Sequence, residues 1–98
     1  MYASVTTGQV KPGHIDEYLN AFQTNVTPMV RAFSGLKDLY LLVDRATNEA
    51  MTIGIYDSEA SADRTQQSGD YQQGLGKIAD HLVLSTLQRR GYEVGVSI

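Results

Sequence analysis

The sequence predicts an α+β fold in which four strands and two helices follow one another in the order β-α-β-β-α-β. Three observations predict this order. Apolar residues recur at helical spacing from 14 to 33, and two apolar stretches, 36–44 and 50–57, flank a short polar connection. A second helical pattern then precedes a β-rich stretch that runs from 83 onward. The 98 residues are the length of one domain, so we expect residues 1–98 to fold as a single unit.

The first strand is predicted at residues 2–10, where β-branched and small side chains alternate loosely. "KPG" at 11–13 predicts a turn that leads into the first helix. Asp16 and Glu17 fall in the first turn of that helix, where the helix dipole favours negative charge.

The first helix is predicted over residues 14–33. Its apolar residues form one stripe of an amphipathic helix: Ile15, Tyr18, Leu19, Phe22, Val26, Met29, Val30 and Phe33. Pro28 interrupts the stripe, and a proline inside a helix costs about 3 kcal/mol, so we expect a kink or a new start near Thr27. Ser34 and Gly35 predict the end of the helix.

The two central strands, at 36–44 and 50–57, are joined by "RATNE", a polar connection suited to a β-hairpin. Asp57 and Ser58 then offer the N-cap of the second helix, and Glu59 falls in its first turn.

"SGD" at 68–70 breaks the second helical pattern, and Asp70 with Gln73 predicts a restart through a capping box. The pattern then continues to Leu82. Gly74 and Gly76 weaken this segment by about 1 kcal/mol each relative to alanine, so it is expected to be the least stable helix.

The last strand is predicted between 83 and 98, with "YEVGV" at 92–96 as its best stretch and "RRG" before it as a bend or bulge. The complete order is that of a split βαβ, or ferredoxin-like, fold. Its four-stranded antiparallel sheet carries both helices on one face.

The central hairpin is apolar on both faces. Leu39, Leu41 and Val43 share one face of their strand, while Tyr40 and Leu42 share the other. Two helices cover one face only, and each further Leu or Ile that is buried contributes roughly 1.5–3 kcal/mol. The sequence therefore predicts a homodimer through the open sheet face, paired as a dimeric α/β barrel. The alternative is a monomer with a modest exposed apolar patch.

Composition excludes several classes of function. A net charge of -3, a pI near 5.1 and a single adjacent basic pair, Arg89-Arg90, argue against a nucleic-acid partner. The absence of cysteine excludes disulfides and thiolate chemistry and is consistent with a cytoplasmic protein. The first ten residues lack the features of a secretory signal, and no apolar run approaches the roughly 20 residues of a membrane span.

The stretch "TPMVRAFSGLKDLYLLVDRATNEAMTIGIYDSEASA" and the final "GYEV" resemble small single-domain members of the antibiotic-biosynthesis monooxygenase-like family, in the dimeric α/β-barrel superfamily. The resemblance extends over almost the whole chain, and its motifs are mostly structural. It implies a sheet-to-sheet dimer with a ligand cavity in each subunit between the sheet and the helices.

The resemblance also implies a chemistry. Several members of that family oxidise phenolic or hydroquinone-like polyketides with molecular oxygen, using neither a metal nor a flavin. We therefore expect a cofactor-free monooxygenase acting on a small aromatic compound. Three alternatives stay open: a non-catalytic ligand-binding or regulatory dimer, a cofactor-free isomerase, and a heme-degrading enzyme.

Five residues are candidates for the site. His81 is predicted as a catalytic proton acceptor, because a neutral imidazole titrates close to neutral pH. Tyr71 is the second catalytic candidate, and Tyr56, Tyr40 and Thr6 are predicted to bind substrate through their hydroxyl groups. Each has a structural alternative: a solvated histidine near a helix end, tyrosines that pack in the core, and a threonine chosen for β-propensity.

No metal site is predicted. His14 follows a turn at a helix start and is expected at the surface, and no HExxH motif joins it to His81. Heme degradation is disfavoured as well, because the resembling heme-degrading proteins need an asparagine on the first strand and a tryptophan. This chain has Thr6 near the place of the asparagine and contains no tryptophan.

Overall fold

The computed structural model describes residues 1–30 and 32–98. Its elements in chain order are β1 (Tyr2–Val10), α1 (Ile15–Asn25), α2 (Thr27–Val30), β2 (Leu36–Asp44), β3 (Glu49–Tyr56), α3 (Glu59–Gln67), α4 (Gly69–Ile78), a 3₁₀ turn (Ala79–His81) and β4 (Leu82–Glu93). The four strands form one antiparallel sheet in the order β2-β3-β1-β4. The predicted α+β, ferredoxin-like fold is therefore confirmed.

The first helical segment breaks where the proline predicted it would. The Val26 N–H still donates to the Phe22 carbonyl, at 2.8 Å, and a new short helix then starts at Thr27. Pro28 lies in the first turn of α2, where a proline costs no hydrogen bond. The predicted continuation to residue 33 was wrong, because α2 ends at Val30; residue 31 lies outside the described residues.

The second helical segment also divides in two, but its cap differs from the predicted one. Ser58 caps α3 as predicted, with its hydroxyl accepting the Ser61 N–H. The cap of α4 is Ser68, which accepts the Tyr71 N–H at 3.2 Å, so the capping box of Asp70 and Gln73 was wrong.

The last strand is continuous through the predicted bend. "RRG" pairs with β1, with Val5 opposite Arg90, and the strand ends at Glu93, so most of "YEVGV" lies beyond it. The irregularity comes earlier in the strand, where residues 84–87 lie opposite the single residue Gly8. Thr86 closes this bulge: its hydroxyl accepts from the Gln9 N–H at 2.8 Å and donates to the Val83 carbonyl at 2.6 Å. Bulges of this kind are frequent beside binding sites.

The core lies between one face of the sheet, called here the inner face, and the helices α1 and α4. Its buried residues are Val10, Ile15, Tyr18, Phe22, Ala50, Ile78 and Leu82. Leu39, Leu41 and Val43 pack against this core from β2, as their alternation predicts.

The opposite, outer face of the sheet is apolar and uncovered within the chain. Tyr40 is 55% exposed and Leu42 is 49% exposed. They pair in register with Ile53 and Met51 of β3, which are half-buried. Within the described residues, no helix is both long and apolar enough to span a membrane.

Candidate functional site

A cavity of about 100 Å³ lies between the inner face of the sheet and the helices. Its floor is formed by the sheet, with Thr6, Thr7, Gly8, Leu36, Leu39, Ala50, Thr52, Tyr56, Leu82 and Leu87. Its roof is formed by the helical segments and the turn that follows α2, with Tyr18, Phe22, Val26, Met29, Val30, Phe33, Asp70, Tyr71, Gly74, Leu75 and Ile78. Most of these side chains are apolar, which is typical of sites for small organic ligands.

Two glycines shape this cavity by bringing neighbouring elements close. A Cβ atom on Gly74 would lie 3.3 Å from Met29 Cε and 3.6 Å from Val26 Cγ2, so α4 packs closely on the end of the first helical segment. A Cβ atom on Gly8 would lie 2.5 Å from Leu87 Cδ2. The absence of a side chain at Gly8 therefore lets the bulge of β4 place Leu87 against the cavity.

Three tyrosines from three different elements meet at the cavity. Burial raises the pKa of Tyr18, the Thr52 hydroxyl opposes this effect, and Tyr71 adds to it. Burial also raises the pKa of Tyr56, with Thr65 lowering it and Tyr71 again raising it. Both phenols therefore stay neutral near pH 7, where each can donate one hydrogen bond and accept others.

Asp70 supplies the one carboxylate among the lining residues that the structure describes. It lies in the first turn of α4, where the helix dipole favours its negative charge, and its side chain is exposed at the edge of the cavity. A carboxylate at the rim is placed to exchange a proton between a bound ligand and solvent.

The structure brings three of the predicted site residues to this cavity. Thr6, Tyr56 and Tyr71 all line it. Tyr40 does not, because its side chain points to the outer face, so its prediction as a substrate-binding residue needs correction.

His81 also lies outside the cavity lining. The prediction assumed that the second helix continues to Leu82, but α4 ends at Ile78 and a 3₁₀ turn follows. A 3₁₀ turn rotates successive side chains more per residue than an α-helix does, which changes the direction in which His81 points.

His81 instead meets His14, which the sequence had placed at the surface without a partner. Their Nδ1 atoms are 3.2 Å apart, and the Glu17 Oε2 atom lies 3.8 Å from each. The two histidines are separated by 67 positions in the chain, so no spacing motif could have predicted that they meet.

Tyr18 and Asp70 are the lining residues with titratable side chains that sequence reasoning missed. Tyr18 stands within the apolar stripe of the first helix, and a tyrosine in such a stripe was the available signal. Asp70 was interpreted as a helix cap, which hid its position beside the cavity.

Comparison with known proteins places the chain in a family and a fold. The sequence model of the family described as "Antibiotic biosynthesis monooxygenase" matches residues 1–77. No curated protein sequence matches the chain.

Among solved structures, a candidate antibiotic biosynthesis monooxygenase from Nitrosomonas europaea aligns with a TM-score of 0.80 at 15% identity, covering 98% of this chain and 100% of that one. Rv0793 from Mycobacterium tuberculosis aligns with a TM-score of 0.76 at 16% identity, covering 98% and 96%. A conserved protein from Methanosarcina mazei Go1 aligns with a TM-score of 0.77 at 16% identity, covering 94% and 90%. At these identities the likeness concerns the fold alone.

Proposed function

The chain belongs to the antibiotic biosynthesis monooxygenase family, and we propose that it is a cofactor-independent monooxygenase acting on a small phenol or hydroquinone. The observation that carries the proposal is the apolar cavity, with three tyrosine side chains in its lining and a carboxylate at its edge. Such a site can hold an aromatic ring away from bulk water while hydrogen bonds orient its oxygen atoms.

The volume of the cavity supports a substrate of one aromatic ring. A cavity of about 150 Å³ is known to hold benzene, and the volume here is about 100 Å³. A polycyclic substrate would require the helix α4 to move outward. This helix contains two glycines within three positions, which lowers the free energy needed to deform it.

In the proposed reaction the substrate supplies the electrons, and the protein accepts a proton from it and orients it. A C–H carbon of a phenol becomes a carbonyl carbon, or a C–H carbon of a hydroquinone becomes a C–OH carbon while the ring is oxidised to the quinone. In both cases one oxygen atom of O₂ enters the substrate, and the other leaves as water with two hydrogens that the substrate supplies. The electrons come from the substrate, which is most reactive as its phenolate. Asp70 accepts the phenolic proton at the rim, and Tyr56 and Tyr71 donate hydrogen bonds to the substrate oxygen.

The outer face of the sheet supports a homodimer as the working form. Tyr40 and Leu42 are exposed beside Ile53 and Met51, which gives a continuous apolar surface on β2 and β3. Val5 extends this surface to β1, since it pairs with Ile53. A second copy laid on this surface would remove it from water and leave both cavities on the outside of the paired sheets.

Oxygen uptake measures this activity directly. We expect the protein to accelerate O₂ consumption with a panel of substituted hydroquinones, and with anthrones more weakly. Asp70→Asn should lower the rate by roughly 10²-fold, as expected for the loss of a proton-transfer group. Tyr71→Phe should lower it by about 5–10-fold through the loss of one hydrogen bond.

Tyr2→Phe is the matched control, because Tyr2 lies outside the cavity lining, and its rate should equal that of the wild type. Equal rates in wild type and Asp70→Asn, both at the uncatalysed level, would remove the enzymatic proposal. Turnover under argon would indicate an isomerase, which consumes no oxygen.

A non-catalytic ligand-binding dimer is the second candidate. It is favoured by the position of His81 outside the cavity, which leaves Asp70 as the one carboxylate, with no histidine, lysine or arginine, among the lining residues that the structure describes. Recovery of an aromatic ligand unmodified after prolonged aerobic incubation would support this candidate over the first.

A further inference from the structure

A cluster of metal-ligating side chains lies outside the cavity, where three parts of the chain meet. His14 precedes α1, Glu17 follows one helical turn later, and His81 ends the 3₁₀ turn before β4. None of the three lines the cavity. Within the described residues, they are the one group of three such side chains whose ligating atoms converge, all within 4.8 Å of one another.

The distances within this cluster fit a metal ion. The Nδ1 atoms of the two histidines and the Oε2 atom of Glu17 form a triangle with sides of 3.2, 3.8 and 3.8 Å. The point equidistant from its corners lies about 2.1 Å from each atom, and Zn–N and Zn–O bonds are about 2.0–2.2 Å long. An ion at this point lies in the plane of its three ligands, and a tetrahedral ion with a fourth ligand needs the Glu17 carboxylate to move closer by roughly half an ångström.

We propose that His14, Glu17 and His81 form a binding site for one Zn²⁺ ion. Two imidazole nitrogens and one carboxylate oxygen are donors that zinc prefers, and they leave a fourth position for water. Side-chain exposure is 40% for His14, 21% for His81 and 66% for Glu17. The histidines are thus partly withdrawn from water, while the carboxylate side stays open for the ion to enter.

The backbone around the cluster holds the ligands in place. The Lys11 N–H donates to the His81 carbonyl at 2.9 Å, and the His14 N–H donates to the Lys11 carbonyl at 3.0 Å. The residues that follow the two histidines, Ile15 and Leu82, are both buried in the core. His14 and Glu17 are three positions apart, so the start of α1 directs them to one side.

Without the ion, the same distance between the two Nδ1 atoms suits a hydrogen bond, in which one imidazole donates to the other. Zinc replaces this hydrogen bond: both Nδ1 atoms then bind the ion through their lone pairs, and the proton of the donating ring moves to its Nε2 atom through solvent, so that each ring keeps one proton. The bound ion would join the start of α1 to the start of β4, positions that are 67 residues apart.

The test uses untagged protein that has been freed of metal with a chelator. Titration with ZnCl₂ is followed by calorimetry and by ¹⁵N NMR of the imidazole rings. The chain contains only two histidines, so both rings can be assigned without ambiguity. We expect one Zn²⁺ per chain, a shift of the Nδ1 signals of both rings, and a rise in Tm of more than about 5 °C at saturation.

Variants locate the site. His14→Gln and His81→Gln should each weaken binding by well over tenfold, since even the loss of residues that merely support metal ligands costs roughly 10–100-fold. Glu17→Gln should weaken binding by about tenfold or more on the same basis. Glu59→Gln is the matched control, because Glu59 occupies the first turn of α3 and lies outside the cluster, and it should bind as the wild type does.

Two results would overturn the proposal. One is the absence of heat and of ring shifts in the wild type at about 1 mM Zn²⁺, a concentration that would reveal even very weak binding. The other is undiminished affinity in the double variant of His14 and His81, which would place the ion on unrelated surface carboxylates. The NMR measurement on the wild type decides the question even if a variant fails to fold.

Discussion

At the residue scale, Gly35, Asp57 and Ser61 form a closely packed contact. Gly35 has a φ of +82°, and its carbonyl accepts the Asp57 N–H at 2.8 Å. A Cβ atom at Gly35 would lie 2.5 Å from Ser61 Oγ, so glycine is required here both for its backbone conformation and for space. This contact fixes the start of β2 against the end of β3, where the floor of the cavity begins.

The Asp57 carboxylate gives this contact a pH dependence. The hydrogen bond from the Ser61 hydroxyl, at 2.5 Å, lowers the pKa of Asp57 below its ordinary value of 3.8. A carboxyl group with a lowered pKa stabilises the folded state above its unfolded pKa, and this contribution is lost as the pH falls through the folded pKa. We therefore expect Asp57→Asn to lower Tm at pH 7. We expect the difference in Tm between this variant and the wild type to disappear as the pH falls below 3.8.

Thermal unfolding at a series of pH values, followed by circular dichroism, measures this difference. Asp63→Asn is the control, since Asp63 is an exposed aspartate of α3 for which the structure shows no hydrogen bond to Ser61. If the difference in Tm between Asp57→Asn and wild type stays constant from pH 7 to about pH 2.5, the Asp57 carboxylate does not cause the pH dependence.

At the element scale, α4 carries much of the cavity roof and is intrinsically weak. Gly74 and Gly76 both lie inside it, but their surroundings differ: Gly74 is buried against Met29, whereas a Cβ atom on Gly76 would meet nothing within 4 Å. The helix is held in place mainly by packing on the first helical segment, and little by its own propensity.

This difference between the two glycines predicts different effects of the same substitution on stability. Gly76→Ala should raise the free energy of unfolding by about 0.8–1 kcal/mol, the difference in helix propensity. Gly74→Ala gains the same propensity, but its methyl group enters a contact of 3.3 Å with Met29 Cε and reduces the cavity. We expect Gly74→Ala to be less stable than Gly76→Ala and to bind aromatic ligands more weakly, as measured by urea denaturation and calorimetry.

If Gly74→Ala were as stable as Gly76→Ala and bound ligands like the wild type, α4 would not form the roof of the cavity in solution. A gain in stability for both variants, with ligand binding lost in Gly74→Ala alone, would show that Met29 yields to the new methyl group.

The elements themselves were largely predictable, because strong local signals determine them. Pro28 marked the break between α1 and α2, and "RATNE" marked the hairpin. Errors arose where two signals compete: Ser68 and Asp70 are both favourable capping residues, and the sequence alone does not decide between them. The bulge of β4 was misplaced because it depends on Thr86 bonding to β1, a tertiary contact that leaves no local pattern.

The site was less predictable than the fold. Tyr56 and Tyr71 reach the cavity because strand alternation and helical spacing direct them to the core side. His81 does not, because one turn of α-helix became a 3₁₀ turn, and a change of that size lies within the uncertainty of any helix boundary. Its meeting with His14 depends on the packing of the whole chain, so only the three-dimensional structure reveals it.

At the scale of the whole molecule, the two faces of the sheet differ in what they carry. Its inner face carries the cavity, and its outer face is an apolar surface that includes Tyr40, Leu42 and Ile53. Covering each exposed Leu or Ile of this face would contribute roughly 1.5–3 kcal/mol, so a few such residues suffice for a stable dimer. A dimer formed in this way leaves both cavities and both histidine clusters accessible.

Leu42→Lys should weaken the dimer, because it would place a charge in the centre of an apolar contact. Gln23→Lys is the matched control: it adds the same charge on the exposed side of α1, away from the sheet, and should leave the association unchanged. Both variants should keep the circular dichroism spectrum of the wild type, since neither position is buried within one chain.

The proposed pairing of two chains through the outer face of the sheet is tested most directly by sedimentation velocity of the wild-type protein at about 1 μM. A contact worth more than about 8 kcal/mol stays formed at this concentration. The predicted result is a single species of twice the 10.8 kDa chain mass, which Leu42→Lys converts to monomer and Gln23→Lys does not. A wild-type protein that sediments as a 10.8 kDa monomer, at this and at tenfold higher concentration, would contradict it.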